Sequence, residues 1–157
     1  MAVEPTSLGP EAGALFAAFR CTVFRQRWTR DIEDTIRETL ATELAINPQT
    51  QALGYVVDGK LVSLVVWRPL PDEQDVWQIQ LLATATGSAR RGYAERLKRE
   101  LLNRANAADI LIVQSEVHRD NTGMLQLNRK LGATISPVPG NPDYLVCMID
   151  PATSIWA

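Results

Sequence analysis

Histidine and cysteine are almost missing from this chain of 157 residues, which has one histidine, His118, and two cysteines, Cys21 and Cys147. The cysteines stand far apart and in no metal-ligand spacing, so a structural zinc site is excluded and no metal is expected. Each reads as a small buried hydrophobe or a half-exposed bystander rather than a nucleophile, since no histidine or carboxylate accompanies it in a recognisable pattern. Long apolar runs are lacking too: none approaches the roughly 20 residues that span a bilayer, so no membrane partner is expected. The opening MAVEPTSLGPEAG has no basic segment followed by an apolar one, so no secretory signal is expected and the cytoplasm is the expected compartment. Basic residues are not in excess. A formal charge of −2 leaves no positive field for bulk nucleic-acid binding. Repeats, linkers and low-complexity tracts do not occur.

What is present suits one domain with a proper core. A composition of 46% hydrophobic and 22% charged residues argues against disorder, and the length argues for a single unit over 1–157. Residues 1–10, with Pro5 and Pro10, read as an irregular arm. From Glu11 a helical spacing begins, with Leu15, Phe16, Phe19, Val23 and Phe24 as the apolar positions and Arg20, Arg25 and Arg27 between them. Asp31 is the expected N-cap of a second helix striped by Ile32, Ile36, Leu40 and Leu44, which Asn47-Pro48 ends. Leu53 to Val57, Asp58-Gly59 and Leu61 to Trp67 predict a hairpin with a type I′ turn. Pro69 and Pro71 break that run, Asp72 to Asp75 form an acidic loop, and Val76 to about Ala83 is a third strand. These three strands form an antiparallel meander.

The second half alternates strand and helix. The strand VWQIQLLATA runs into Arg90-Arg91-Gly92-Tyr93-Ala94, which opens a helix with Ala94, Leu97, Leu101 and Ala105 on one face and Leu102 beside them. Glu95 with Arg99 and Arg96 with Glu100 are i,i+4 pairs, so Lys98 and Arg99 are expected on a solvated face. A fourth strand, Ile110 to Val117, lies parallel to the third because a helix intervenes. A last helix runs from about Asn121 to Leu131, with Gly132 as its C′ residue. Gly140-Asn141-Pro142 then turns the chain into a final strand, Tyr144 to Ile149.

A strand that feeds a glycine loop at a helix start makes a site for phosphate, because unpaired N–H donors gather there. Arg90 and Arg91 oppose the macrodipole at that end unless an anion joins them. By itself, RRGYA is also readable as a basic turn at a bend in the backbone. Its place between a strand and an apolar-striped helix favours the phosphate reading, as does a second motif downstream, NTGMLQLNRKLGA.

Over roughly residues 50 to 150, the element order and these two motifs resemble the GNAT superfamily of acyl-CoA N-acyltransferases. The resemblance implies an α/β (α+β) fold, a mixed, mostly antiparallel twisted sheet flanked by helices. It also implies acetyl-CoA as co-substrate, whose pyrophosphate rests on Arg90, Arg91, Gly92, Tyr93 and Ala94. Backbone groups of Leu82, Ala83 and Thr84 would meet the pantetheine arm, with Asn121 and Asn128 as later cofactor contacts. The family's phosphate loop reads Gln/Arg-x-x-Gly-x-Gly/Ala. Gly92 and Ala94 match it, while its first anchor falls on Ala89. Where many relatives carry a tyrosine that protonates the departing thiolate, this chain has Asn128, as in one branch of the family. Asn121 and Asn128 share one helix face. Either they contact the cofactor, or Asn121 caps the helix and Asn128 faces water.

The implied reaction is direct attack of a neutral primary amine, of a small molecule or a peptide, on the thioester, which requires a base for the ammonium proton. Glu116, on one face with Gln114 and Ile112, is the first candidate, against a rim carboxylate in water. His118 is the second, against an exposed loop histidine. Gln78 and Gln80 cannot titrate and would orient water. Tyr93 and Tyr144 are further proton donors without a supporting pattern. Two other functions compete. One is a non-catalytic acyl-CoA-binding sensor or interaction module. The other is a nucleic-acid or protein-binding domain using Arg90, Arg91 and the arginines between Arg20 and Arg30, which the low net charge counts against. The acidic loop suggests a cationic acceptor. The edge of the final hairpin suggests a homodimer.

Overall fold

The structure is a computed structural model that describes residues 4–19, 40, 42–85 and 92–154. Its strands are β1 (Thr6–Leu8), β2 (Gln51–Val57), β3 (Lys60–Leu70), β4 (Glu73–Thr84), β5 (Ile112–His118), β6 (Thr134–Val138) and β7 (Asn141–Ile149). Its helices are α1 (Gly13–Ala18), α2 (Tyr93–Ala107), α3 (Thr122–Lys130) and α4 (Pro151–Ser154), and residues 42–46 are also helical. The strands form one seven-stranded sheet in the order β1-β2-β3-β4-β5-β7-β6. β4 and β5 pair in parallel, whereas β1–β2, β2–β3, β5–β7 and β6–β7 are antiparallel. This is the mixed, mostly antiparallel α/β fold that the sequence led us to expect.

The chain divides into two compact units. The first holds the residues up to Trp67 together with Leu81–Lys98, and the second holds Arg68–Gln80 and the residues from Arg99 onward. In the first unit, Phe16, Phe19, Leu40 and Leu44 from the helical segments join Leu8, Ala52, Leu61, Leu64 and Val66 of the strands in one buried cluster. Each such side chain contributes about 1.5–3 kcal/mol by leaving water. The Asp58-Gly59 turn has φ of 52° and 75°, the two positive values of a type I′ turn, as its sequence predicts. Ile32 and Ile36 of the second helical stripe, its N-cap Asp31, Val23, Phe24, Cys21 and the arginines from Arg20 to Arg30 lie outside the described residues.

Within the arm expected to be irregular, the described residues 4–10 include a strand. Thr6–Leu8 form β1, paired antiparallel to β2 with Thr6 opposite Gly54 and Leu8 opposite Ala52. Gly54 is the reason: a Cβ there would stand 2.7 Å from Leu8 Cδ1, so only glycine leaves room for the leucine. Pro10 then opens a short 3-10 turn, Pro10–Ala12, ahead of α1. Pro69 does not break β3 either. The β2 partner of that strand runs out at Gln51 opposite Trp67, so a residue without an N–H costs no ladder bond to β2 beyond it. The expected acidic loop shrinks to a turn at Pro71-Asp72, and Glu73 to Asp75 already belong to β4.

In the second unit, Val117, Leu125 and Cys147 are buried together, with Met124, Ala133, Ile135 and Leu145 against them. Cys147, fully buried, behaves as the small hydrophobe anticipated. α3 ends as its sequence requires. Gly132 has φ of 86°, its N–H donates to the Arg129 carbonyl, and the Ala133 N–H reaches back to Asn128 O at 2.9 Å. This is a Schellman closure. Asn141 and Pro142 lie within β7 rather than in the turn before it, which is centred on Pro139 and Gly140.

Lys98 is corrected outright: it is 1% exposed rather than solvated. Lys98, Leu101, Leu102 and Ala105 stand at i, i+3, i+4 and i+7, which is the apolar stripe itself, and the long methylene stem lets lysine occupy such a position. On the outer side of α2, Arg104 pairs with Glu100 at 3.2 Å.

Candidate functional site

In the first unit, the chain enters α2 through Gly92, whose φ of 80° lies in the left-handed region that glycine tolerates best. The first helical bond runs from Arg96 N–H to Gly92 O at 3.1 Å, which makes Gly92 the N-cap. The N–H groups of Gly92, Tyr93 and Ala94 find no acceptor among the described residues. A Cβ built on Gly92 would meet nothing within 4 Å among the described residues, so a ligand can approach the backbone there. Such a run of free amides at the positive end of a 15-residue helix fits a phosphate group. Tyr93 leans on Tyr55 with ring centroids 5.2 Å apart, and the Arg96 guanidinium carbon lies 6.0 Å from the Tyr93 centroid. Arg90, Arg91 and Ala89 lie outside the described residues.

Leu82, Ala83 and Thr84 close β4. Ala85 N–H donates to Val62 O at 2.7 Å, so by ladder alternation the backbone groups of Ala83 also point toward β3. The Ala83 carbonyl accepts from Ser63 Oγ at 3.2 Å, and Ser63 in turn meets Thr84 Oγ1 at 3.3 Å. The backbone N–H and C=O of Leu82 and Thr84 therefore point to the other edge of β4. Of the three residues expected to present free backbone, Ala83 has its carbonyl engaged by Ser63.

In the second unit, the registered pairing of β4 with β5 runs from Val76↔Ile112 to Gln78↔Gln114. Along β5, Val113, Ser115 and Val117 are buried, while Ile112, Gln114, Glu116 and His118 share the opposite face. Glu116 is exposed, directly opposite Val146 of β7. Its carboxylate has no hydrogen-bond or ion-pair partner among the described residues. Gln114 Nε2 donates to Gln78 Oε1 at 2.5 Å across the two strands.

His118 is not the exposed loop residue that one reading expected. It ends β5, its side chain is 10% exposed, and its ring stands edge-on to Tyr144 at 5.2 Å and 77°. Its Nδ1 accepts the Asp120 N–H at 3.1 Å, so the neutral ring carries its proton on Nε2 and has no lone pair to offer a substrate. Asn121 caps α3 by accepting the Met124 N–H on Oδ1 at 3.3 Å. Asn128 does not face water: it is fully buried and donates from Nδ2 to Met124 O at 3.0 Å.

The structure thus gathers Glu116 and His118 on one sheet face and places Asn121 and Asn128 on α3. Sequence reasoning missed the amide couple Gln78–Gln114 and the ring pair His118–Tyr144. Their signal was available as polar residues at every second position of strands in the middle of a sheet, where apolar residues are the rule. No cluster of metal-binding side chains occurs among the described residues. No described helix is long and apolar enough to cross a membrane.

Comparison with known proteins gives a consistent result. Residues 16–133 match the model of the Acetyltransferase (GNAT) family. No curated protein sequence matches significantly. Among solved structures, the chain is similar to the PaiA N-acetyltransferase of Thermoplasma acidophilum, which was determined in complex with coenzyme A. The TM-score is 0.75 at 16% identity, covering 96% of this chain and 99% of that one. It is also similar to a ribosomal-protein-alanine N-acetyltransferase of Escherichia coli (TM-score 0.68, 17% identity, 94% of each chain). A third is an aminoglycoside 6′-acetyltransferase of type Ii (TM-score 0.72, 14% identity, 94% of this chain and 97% of that one). At such identities the likeness is one of fold.

Proposed function

Since the chain belongs to the GNAT acetyltransferase family, we propose that it transfers an acetyl group from acetyl-CoA to a primary amine by direct attack. The observation that carries this reading is the run of N–H groups at Gly92, Tyr93 and Ala94 that find no acceptor among the described residues at the head of α2. These amides hold the diphosphate, and Arg90 and Arg91, which precede them in the sequence, supply charge. The outward backbone groups of Leu82 and Thr84 hydrogen-bond the pantetheine arm. When bound, acetyl-CoA supplies an activated thioester.

Glu116 takes the proton from the acceptor's ammonium. It is carboxylate-bearing, exposed and uncommitted, and a base must be free to reach the proton it removes. The neutral amine nitrogen then bonds to the thioester carbonyl carbon, the C–S bond breaks, and sulfur leaves with the electron pair. The nitrogen then gives up its second proton through water to the thiolate, because the amide of Asn128 is buried and engaged within its own helix. Asn121 keeps its Nδ2 to donate, since only its Oδ1 is used in capping.

Titration calorimetry of acetyl-CoA into the wild type and Gly92→Glu, followed by thiol release with a panel of primary amines, tests the proposal. At 100 times its dissociation constant, the ligand should stabilise the wild type by about 2.7 kcal/mol. The variant should stay folded and lose binding. Equal affinity in both proteins would sink the phosphate-loop assignment. Binding without thiol release for any amine would leave a non-catalytic acyl-CoA-binding module.

A further inference from the structure

The second unit presents a sheet face that the acetyl-transfer scheme uses at a single point, Glu116. Residues directly opposite on paired strands share a face. Gln114, Glu116 and His118 of β5 therefore lie in one layer with Met148, Val146 and Tyr144 of β7. The other layer of β5 is buried, but here Met148 is 39% exposed and Glu116 is open to solvent. Among the strand residues of this face in the second unit, Glu116 is the one carboxylate. Gln78 and Gln114 are neutral and already bonded to each other. Asp120, beyond the strand end, lies 4.0 Å from both His118 Nδ1 and Arg119 Nε. Around the carboxylate stand Val146 opposite it, the His118–Tyr144 ring pair on one side along the strands, and Met148 with the neutral amide of Gln114 on the other, while Ser136 and Thr134 of β6 lie beyond Val146 and Met148. Alternate residues on a strand stand about 7 Å apart, so a flat group attached to an amine by a short linker would reach Tyr144 from Glu116.

We infer that this face selects an acceptor with one ammonium group on an apolar, flat body, the cation at Glu116 and the body against Tyr144. The inference rests on the acetyl-transfer reading and names the acceptor class for it. A lone carboxylate satisfies one cation. A polyamine would leave its further ammonium groups against neutral amides, valine and methionine, where nothing compensates their desolvation. An aryl ring instead buries apolar area on Tyr144, and the ammonium gains from the tyrosine ring as well as from the carboxylate.

The test compares thiol release with 2-phenylethylamine and with spermidine, in the wild type, Tyr144→Ala and Tyr144→Phe, alongside the dissociation constant of acetyl-CoA. The arylalkylamine should have the higher kcat/KM by about tenfold or more. Tyr144→Ala should raise its KM with kcat and acetyl-CoA affinity retained, and Tyr144→Phe should restore it. Spermidine turning over as well or better, or an unchanged KM in a folded Tyr144→Ala, overturns the inference and leaves the acetyl-transfer reading standing. If no amine releases thiol, that reading fails on its own. Amide and side-chain NMR shifts on titration with 2-phenylethylamine then decide, and silence at Glu116, His118 and Tyr144 overturns the inference. So does a sedimentation experiment in which the wild type self-associates and Met148→Glu does not, since the face would then be covered by a second copy.

Discussion

Asn128 and Met124 are tied one turn apart on α3: the Asn128 side chain donates to the Met124 carbonyl at 3.0 Å from a fully buried position. Its own carbonyl accepts the Ala133 N–H that closes the helix. The amide therefore binds the last turn of α3 to the turn before it. Asn128→Ala should lower unfolding stability by about 1–3 kcal/mol, the usual cost of a lost buried hydrogen bond. Chemical denaturation measures this. The affinity of the folded variant for acetyl-CoA should not change, and a loss of affinity without a loss of stability would return Asn128 to the cofactor.

Glu116→Gln keeps the shape of the side chain and removes its basicity. The expected outcome is a fall in kcat of about a hundredfold or more, with the dissociation constant of acetyl-CoA unaltered. Steady-state kinetics across pH check it, and a profile that overlays the wild type would dismiss this base.

His118→Phe preserves an aromatic edge against Tyr144 and removes the acceptor for the Asp120 N–H. Turnover should persist within a few-fold of wild type, far from the effect of losing a base. A loss as large as that of Glu116→Gln would mean that the imidazole gives up its bond to Asp120 and takes the proton itself.

Gly54→Val should release β1. A Cβ at that position would stand 2.6 Å from Leu61 Cδ1, 2.7 Å from Leu8 Cδ1 and 2.9 Å from the Ser63 carbonyl. Overpacking of this kind costs about 1–3 kcal/mol. Leu8 can yield most easily, because a three-residue strand at the end of the sheet order holds it. Hydrogen exchange should quicken at Thr6 to Leu8 and stay slow in β3.

Local chemistry made much of this fold legible. Asp58-Gly59 announced its turn, a helix between two strands announced their parallel pairing, and Asn121 and Gly132 announced the two ends of α3. What failed to show depends on partners distant in sequence. β1 exists because Gly54 leaves a space about forty-five residues later in the chain. Pro69 sits in a strand because β2 has already ended. Lys98 looked solvated because charges flanked it at helical spacing, although its own position lay on the apolar stripe. In the site, RRGYA pointed to the helix head that the structure displays at Gly92. The burial of Asn128, the inward carbonyl of Ala83 and the Gln78–Gln114 couple needed the strands to be in register before they could be seen.

Pro137 lies in β6, the last strand of the sheet order, opposite Leu145. Proline gives no N–H, so a strand arriving from another molecule would lack a donor midway along that border. The same ring makes that border of the C-terminal hairpin a poorer template for fibril growth.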